Sequence, residues 1–384
     1  MTRENGTAEP TMPGAAIGPP GWPAVAVVDE GPREGLQIED AGIPAAEKVR
    51  LIDAMSAAGL RRIVVGSFVS PKWTPQMAEV EEVVKGFTPR AGTIYTALAL
   101  NQKGVERRAQ YLGKLSLDGA LPATLVHLCD VFVRRNTNRS QEDEIAAWEL
   151  AVARAKVAGA TEAQVGVNAA WGSNWLGLFT QEQRMTMLER QIALWTDAGI
   201  RVTKVFLGDP MGWHTPDQVE GDLTEITQRW PAIRTFHLHL HNTRGMAPIS
   251  AYSALKLLDA RHTVVLDASI GGMGGCPYCG NGRAAGLFPT EDLIYLLHAL
   301  GYDTGVDLDA LIEAAIDAED VVGHRLYGHV SKAGGRPGPD QLYPMDMPFV
   351  ETLEQAQHFR LGPSVYAGAP SPWKRPIVNP ARPS

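Results

Sequence analysis

Cysteine is scarce in this chain. Of 384 residues only Cys129, Cys276 and Cys279 carry a thiol. An odd and sparse set does not build a disulfide framework, so a reducing cytoplasm is the expected compartment. Long apolar runs are missing too. Nothing approaches the roughly eighteen residues of a membrane span, so no membrane partner is expected. The N-terminus lacks the basic segment and apolar core of a secretory signal. There is no basic excess either: 43 acidic residues stand against 35 basic ones, for a formal net charge of −8. That balance leaves little to neutralise phosphates and argues against a nucleic-acid partner.

What is present suits a globular fold. Hydrophobic residues make up 45% of the chain, enough for one large core or two of ordinary size. The 39 glycines and 27 prolines fit a fold with many short turns. Residues 1–22 are rich in Pro, Gly and Ala and have no periodicity, which predicts a disordered arm.

From residue 24 the chain alternates apolar, strand-like runs with segments of helical period. The strand candidates are Ala24–Glu30, Arg62–Gly66, Thr93–Ala99, Thr124–Cys129, Ala163–Asn168, Val202–Gly208, Thr235–His241 and Val264–Ile270. Helical segments such as Ala45–Ala58, Gln141–Ala158, Gln181–Ala198, Pro216–Trp230 and Pro248–Asp259 lie between them. This alternation predicts an α/β fold with a parallel sheet and helices outside it. Eight such units predict a closed (β/α)8 TIM barrel over residues 23–302, with a doubly wound open sheet as the alternative. Thr290–Leu300 reads as the last barrel helix, with Thr290 as its N-cap. Residues 303–384 read as a C-terminal extension. It begins with a helix over Leu308–Val321 and continues as an irregular tail whose Tyr343, Phe349, Phe359, Tyr366 and Trp373 give it something to bury against the barrel or a second subunit.

Four places can carry chemistry. In Phe236-His237-Leu238-His239-Leu240-His241 the three histidines share one strand face. A pair at i and i+2 near the C-terminal end of a barrel strand can grip one metal ion, on the face where such barrels keep their active sites. His237 lies deepest and reads as structural. The turn after the first strand, Asp29-Glu30-Gly31-Pro32-Arg33-Glu34-Gly35, offers a carboxylate to complete a His/His/carboxylate set and an arginine to stabilise a developing enolate. The loop Gly271-Gly272-Met273-Gly274-Gly275-Cys276-Pro277-Tyr278-Cys279 is glycine-rich enough to approach a ligand and to move, and a thiol there can serve as general acid or base. A Cys-x-x-Cys pair can also mark zinc or redox chemistry, but no second pair exists to complete a zinc site. Asp209, at the end of the sixth strand, is a base, a residue that orients a metal-bound water, or a turn-capping residue.

Together these motifs resemble 3-hydroxy-3-methylglutaryl-CoA (HMG-CoA) lyase. The resemblance rests on Gly31-Pro32-Arg33-Glu34-Gly35-Leu36-Gln37, on Ser67-Phe68-Val69-Ser70-Pro71-Lys72-Trp73-Thr74-Pro75-Gln76-Met77, on His239-x-His241-Asn242-Thr243-x-Gly245, on Gly274-Gly275-Cys276-Pro277-Tyr278 and on Thr290-Glu291-Asp292-Leu293. It covers about residues 24–300. It implies a place in a metal-dependent superfamily of barrel lyases and Claisen-condensing enzymes, and a retro-Claisen cleavage of a 3-hydroxyacyl thioester such as HMG-CoA. A base takes the hydroxyl proton, the adjacent carbon–carbon bond breaks, and an acyl-CoA enolate leaves and is protonated. The resemblance assigns His239 and His241 to a divalent metal, Mg²⁺ or Mn²⁺, Arg33 to the carbonyl that becomes the enolate, and Asp209 and Cys276 to proton transfer. It also implies an acyl-CoA partner and a homo-oligomer.

Three positions depart from the lyase pattern. Glu34 replaces an aspartate, as in homocitrate synthases, and keeps a ligand role with longer reach. Val64 stands where the lyases carry a glutamate, which puts HMG-CoA itself in question as the substrate. Leu287 stands where they carry an asparagine ligand, within a loop two residues longer, and Asn281 is the expected replacement. A condensing enzyme or aldolase of the same chemistry is the alternative reading. A non-catalytic barrel is the third.

Overall fold

β-branched residues fill the segments that pair, and they pair in chain order. The computed structural model describes residues 12–117, 119–278, 284–339 and 342. Eight parallel strands run through it: β1 (Ala24–Asp29), β2 (Arg62–Ser67), β3 (Ile94–Leu98), β4 (Val126–His127), β5 (Glu162–Asn168), β6 (Arg201–Asp209), β7 (Thr235–Leu240) and β8 (Thr263–Ser269). Their ladder reads β3-β2-β1-β8-β7-β6-β5-β4. That is a cyclic order whose path starts and ends at sequence neighbours. A doubly wound sheet reverses its strand order at an internal switch point; this one does not. The fold is the α/β TIM-barrel type.

Helices α1 (Ala45–Ala57), α2 (Val80–Gly86), α3 (Gln102–Ala109), α4 (Asp130–Thr137), α5 (Gln141–Val157), α6 (Gln181–Asp197), α7 (Pro216–Arg229), α8 (Ala247–Leu257) and α9 (Thr290–Ala299) connect the strands or follow the last. Local sequence sets several starts. Ser140 and Asp143 form a capping box on α5, and Thr180 and Gln183 form another on α6, each satisfying orphan N–H groups of the first turn. Thr290 does not cap α9 as its sequence predicts. It is the first helical residue, after Pro289, and its hydroxyl donates to Asp29 Oδ2 at 2.6 Å. The hydroxyl that would accept from first-turn N–H groups as a cap donates instead to the buried Asp29 carboxylate.

The barrel interior is split into two levels. Residues of one strand face alternate inward and outward, and on β1 and β2 the lower inward positions are apolar. Ala26, Val28, Val64 and Val265 form one buried cluster with Met12 and Ala15. Residues 12–22 therefore differ from the expected arm. Met12, Ala15 and Ala16 are buried, and Ala16 pairs with Val25 of β1. Apolar side chains three residues apart were enough to fix the segment against the barrel floor, despite a composition typical of disorder. Residues 1–11 lie outside the described residues. The upper interior is polar, with Glu30, His239, His241 and Asp267 buried there.

Beyond the barrel, α10 (Leu308–Val322) packs on α1 and α9, and α11 (Val330–Ala333) packs on α9 and α10. The tail aromatics Tyr343, Phe349, Phe359, Tyr366 and Trp373 fall outside the described residues. Among those residues no helix is long and apolar enough to cross a membrane.

One buried ion pair holds the β5–α6 connection. Arg184 binds Asp222 at 2.6 and 3.0 Å and the carbonyls of Ala170 and Phe179, while Trp171 donates to the same carboxylate at 2.9 Å. Removing one member of such a pair strands an uncompensated buried charge. Asp222→Ala is expected to destabilise the fold by about 3–5 kcal/mol, read as a lower urea midpoint. An unchanged midpoint would contradict this account of the connection.

Candidate metal centre

The turn after β1 brings Arg33 and Glu34 over the mouth. Gly31–Gly35 forms a single π-helical turn in which the Glu30 carbonyl accepts from the N–H groups of Arg33, Glu34 and Gly35. The turn lies against the glycine-rich loop after β8. A Cβ on Gly35 would meet Met273 Cβ at 2.9 Å, and one on Gly274 would meet Gly35 Cα at 3.0 Å. The close approach needs glycine on both sides.

On β7, parity points His237, His239 and His241 into the barrel. Glu34 Oε1 lies 2.7 Å from His241 Nε2 and 3.5 Å from His239 Nε2. Glu34, His239 and His241 each offer a donor atom, all within 4.8 Å of one another, and among the described residues they are the single such group of three. Behind them, Asp267 of β8 accepts from His239 Nδ1 at 2.8 Å and meets His237 Nε2 at 2.8 Å. A carboxylate on the far nitrogen fixes the ring and leaves Nε2 aimed at the cluster, the usual support for a metal-ligating histidine. His237 is thus engaged with Asp267 and is not one of the three donors. Arg33 is clamped beside the cluster, with Nε on Glu30 at 2.7 Å and Nη1 on Glu34 at 2.9 Å.

The electrostatics show a place for positive charge. Burial works against a charged His239 ring, but the Glu34 and Asp267 carboxylates outweigh it and raise the ring to about 10. Burial likewise opposes the Glu34 carboxylate, yet His239 and Arg33 hold it well below the usual range. A proton on His239 occupies the position a cation would take. Two imidazoles and one carboxylate, with no thiolate, fit a divalent cation that accepts nitrogen and oxygen donors.

Asp209 and Cys276 are not among these three donors. Asp209 is fully buried at the end of β6, where its Oδ2 accepts from the His214 ring at 2.6 Å and from the His214 N–H at 2.7 Å. It pairs with Leu240 rather than with a histidine in the β6–β7 register; its backbone carbonyl accepts from the His241 N–H at 3.3 Å, and among the described residues no side-chain contact joins it to Glu34, His239 or His241. Cys276 is buried in the loop after β8. Asn281 lies outside the described residues. Leu287 is fully buried and bridges to His241 through the backbone, so the position itself adjoins the centre while its side chain has no donor. Asp267 and Glu30 were not singled out from sequence. Asp267 had a signal, as a lone carboxylate inside the apolar run Val264-Val265-Leu266.

Comparison with known proteins gives the geometry its context. The HMGL-like family model matches residues 24–317. Mouse mitochondrial hydroxymethylglutaryl-CoA lyase is 34% identical over 291 residues, covering 76% of this chain and 83% of the relative. (R)-citramalyl-CoA lyase of Chloroflexus aurantiacus is 32% identical, covering 81% of this chain and 95% of the relative. The solved structure of an HMG-CoA lyase from Acinetobacter baumannii, in complex with coenzyme A and 3-methylmalate, superposes with a TM-score of 0.66 at 29% identity. It covers 84% of this chain and 97% of that one.

Metal binding must displace the His239 proton, so affinity is expected to fall as pH drops from about 10 toward neutrality. Calorimetry at pH 8 in buffers of differing ionisation heat should show release of about one proton per ion. Asp267→Asn should weaken metal affinity about 10–100-fold. Proton-independent binding, or full affinity in that variant, would contradict the assignment.

Proposed function

The chain belongs to the HMGL-like family, and from that premise we propose that it is a divalent-cation-dependent lyase cleaving a 3-hydroxy-3-methylglutaryl-CoA-like thioester by retro-Claisen chemistry. Carbon–carbon lyase activity follows from membership at this level of identity. The substrate, the metal and the residue roles are the proposal. The observation that carries it is the convergence of Glu34, His239 and His241 beside Arg33.

Mg²⁺ or Mn²⁺ bound by Glu34, His239 and His241 would orient the substrate's oxygens and ease loss of its hydroxyl proton. Arg33 is held rigid by Glu30 and Glu34. It stands ready to donate to the carbonyl oxygen on which enolate charge develops, at no reorganisation cost. Cys276 sits in the loop that abuts Gly35, next to Glu34, and is assigned protonation of the departing carbon. Asp209 is enclosed with His214; its backbone carbonyl accepts from the His241 N–H at 3.3 Å, so its assigned role is to hold the β6–α7 loop against that ligand. The fourth protein ligand, Asn281 in this proposal, would come from the loop after Cys279.

Val64 and Leu287 favour tolerance for thioesters other than HMG-CoA, since both positions are apolar here. The relative named for citramalyl-CoA shows that the family holds lyases of other hydroxyacyl thioesters. An acyl-CoA partner, a homo-oligomer and a cytoplasmic location complete the proposal, the last supported by the sparse cysteines.

Metal-reconstituted protein incubated with HMG-CoA should yield acetyl-CoA and acetoacetate by mass spectrometry, and chelator should abolish both. Arg33→Met should lower kcat about 10²–10³-fold while metal binding persists. No cleavage by protein holding stoichiometric metal would overturn HMG-CoA as the substrate.

A further inference from the structure

We propose that the floor of the barrel, at the end opposite the metal centre, holds a second ligand site, which takes a small oxyanion (a phosphate or a short carboxylate) on the Lys204 ammonium. A cavity of about 400 Å³ opens there between the first residues of β5, β6 and β7, with Met12 and Leu121 on its rim. Lys204 and Arg234 line it, together with Arg201, whose guanidinium is paired with Glu162 at 2.6 Å.

Lys204 is the unusual member. It pairs with Thr235 in the β6–β7 register and shares parity with Phe206, whose ring packs on His237 and His239. Its side chain therefore points into the barrel. It is 8% exposed, and its ammonium has no hydrogen-bond partner among the described residues. Buried lysines are rare unless paired, and an ammonium that faces an open cavity is a strong donor available to an acceptor. The charged groups facing it are Arg62, which repels, and Asp267, which attracts from above. Burial lowers the ammonium to about 8, so it is largely charged at neutral pH and gains from an anion. Glu162, also on the lining, is directed to Arg201 and accepts from Thr203. A tetrahedral oxyanion or a short carboxylate fits a cavity of this size, which is near the lower end of ligand pockets.

The test separates floor from mouth. Inorganic phosphate and, in a parallel arm, succinate are titrated calorimetrically into the full chain, its Lys204→Met variant and its Arg33→Met variant. Methionine keeps the apolar stem of Lys204, and circular dichroism checks that the fold survives. Arg234→Gln provides a second floor variant should Lys204→Met fail to fold. Saturable binding of either anion that persists in Arg33→Met and weakens at least tenfold in Lys204→Met or Arg234→Gln is the expected result, and the arm that binds identifies the source. Binding lost in Arg33→Met but kept in the floor variants would place the anion at the mouth and overturn the proposal. So would the absence of saturable binding by both anions.

Discussion

Charge balance at the barrel mouth is the constraint on which the site depends. Three carboxylates, Glu30, Glu34 and Asp267, meet in a largely buried cluster whose fixed cation is Arg33. With neutral imidazoles, the cluster carries an excess of two negative charges. Burial penalises such an excess heavily unless it is paired. Protonation offsets part of that excess. His239 is driven upward by Glu34 and Asp267 against its own burial, and burial pushes the Glu30 carboxyl up. One divalent cation at the three converging donors would relieve it fully. The proposed metal binding thus draws on electrostatics built into β7, β8 and the turn after β1, more than on the ligand set alone.

The same reasoning separates mouth from floor. Val28 and Val64 fill the lower barrel with Met12, Ala15, Ala26 and Val265, while one level up the inward positions turn ionic. Val64, at a position where the resembling lyases carry an acidic residue, belongs to the apolar level here, so the acidic load of the upper level comes from Glu30, Glu34 and Asp267. Lys204 is the one inward charge on β6, and it lies within electrostatic reach of both Asp267 and His237. The column from Lys204 through His237 and Asp267 to His239 ties the two ends of the barrel together.

Much of this was legible in the chain. Apolar runs with β-branched residues placed all eight strands, because a buried parallel strand needs little else. Strand parity placed His239 and His241 together, and the Gly31–Gly35 turn brought Arg33 and Glu34 to them. Residues whose roles depend on how the folded chain brings partners together were harder to read. Asp267 acts only because β8 lies beside β7, and Glu30 acts only through the π-helical turn that bends Arg33 back onto it. Asp209 was assigned to proton transfer from sequence, and nothing there announces its partner His214, five residues on. The arm at residues 12–22 looked disordered by composition, yet three small or flexible apolar side chains were enough to dock it.

The most direct test of the account is anomalous diffraction from crystals soaked in Mn²⁺. The account predicts one strong peak at the barrel mouth, within bonding distance of Glu34 Oε1, His239 Nε2 and His241 Nε2, with Asp267 still on His239 Nδ1. A mouth without a peak at saturating Mn²⁺, or a peak held by Asp209 and His214 instead, would contradict it.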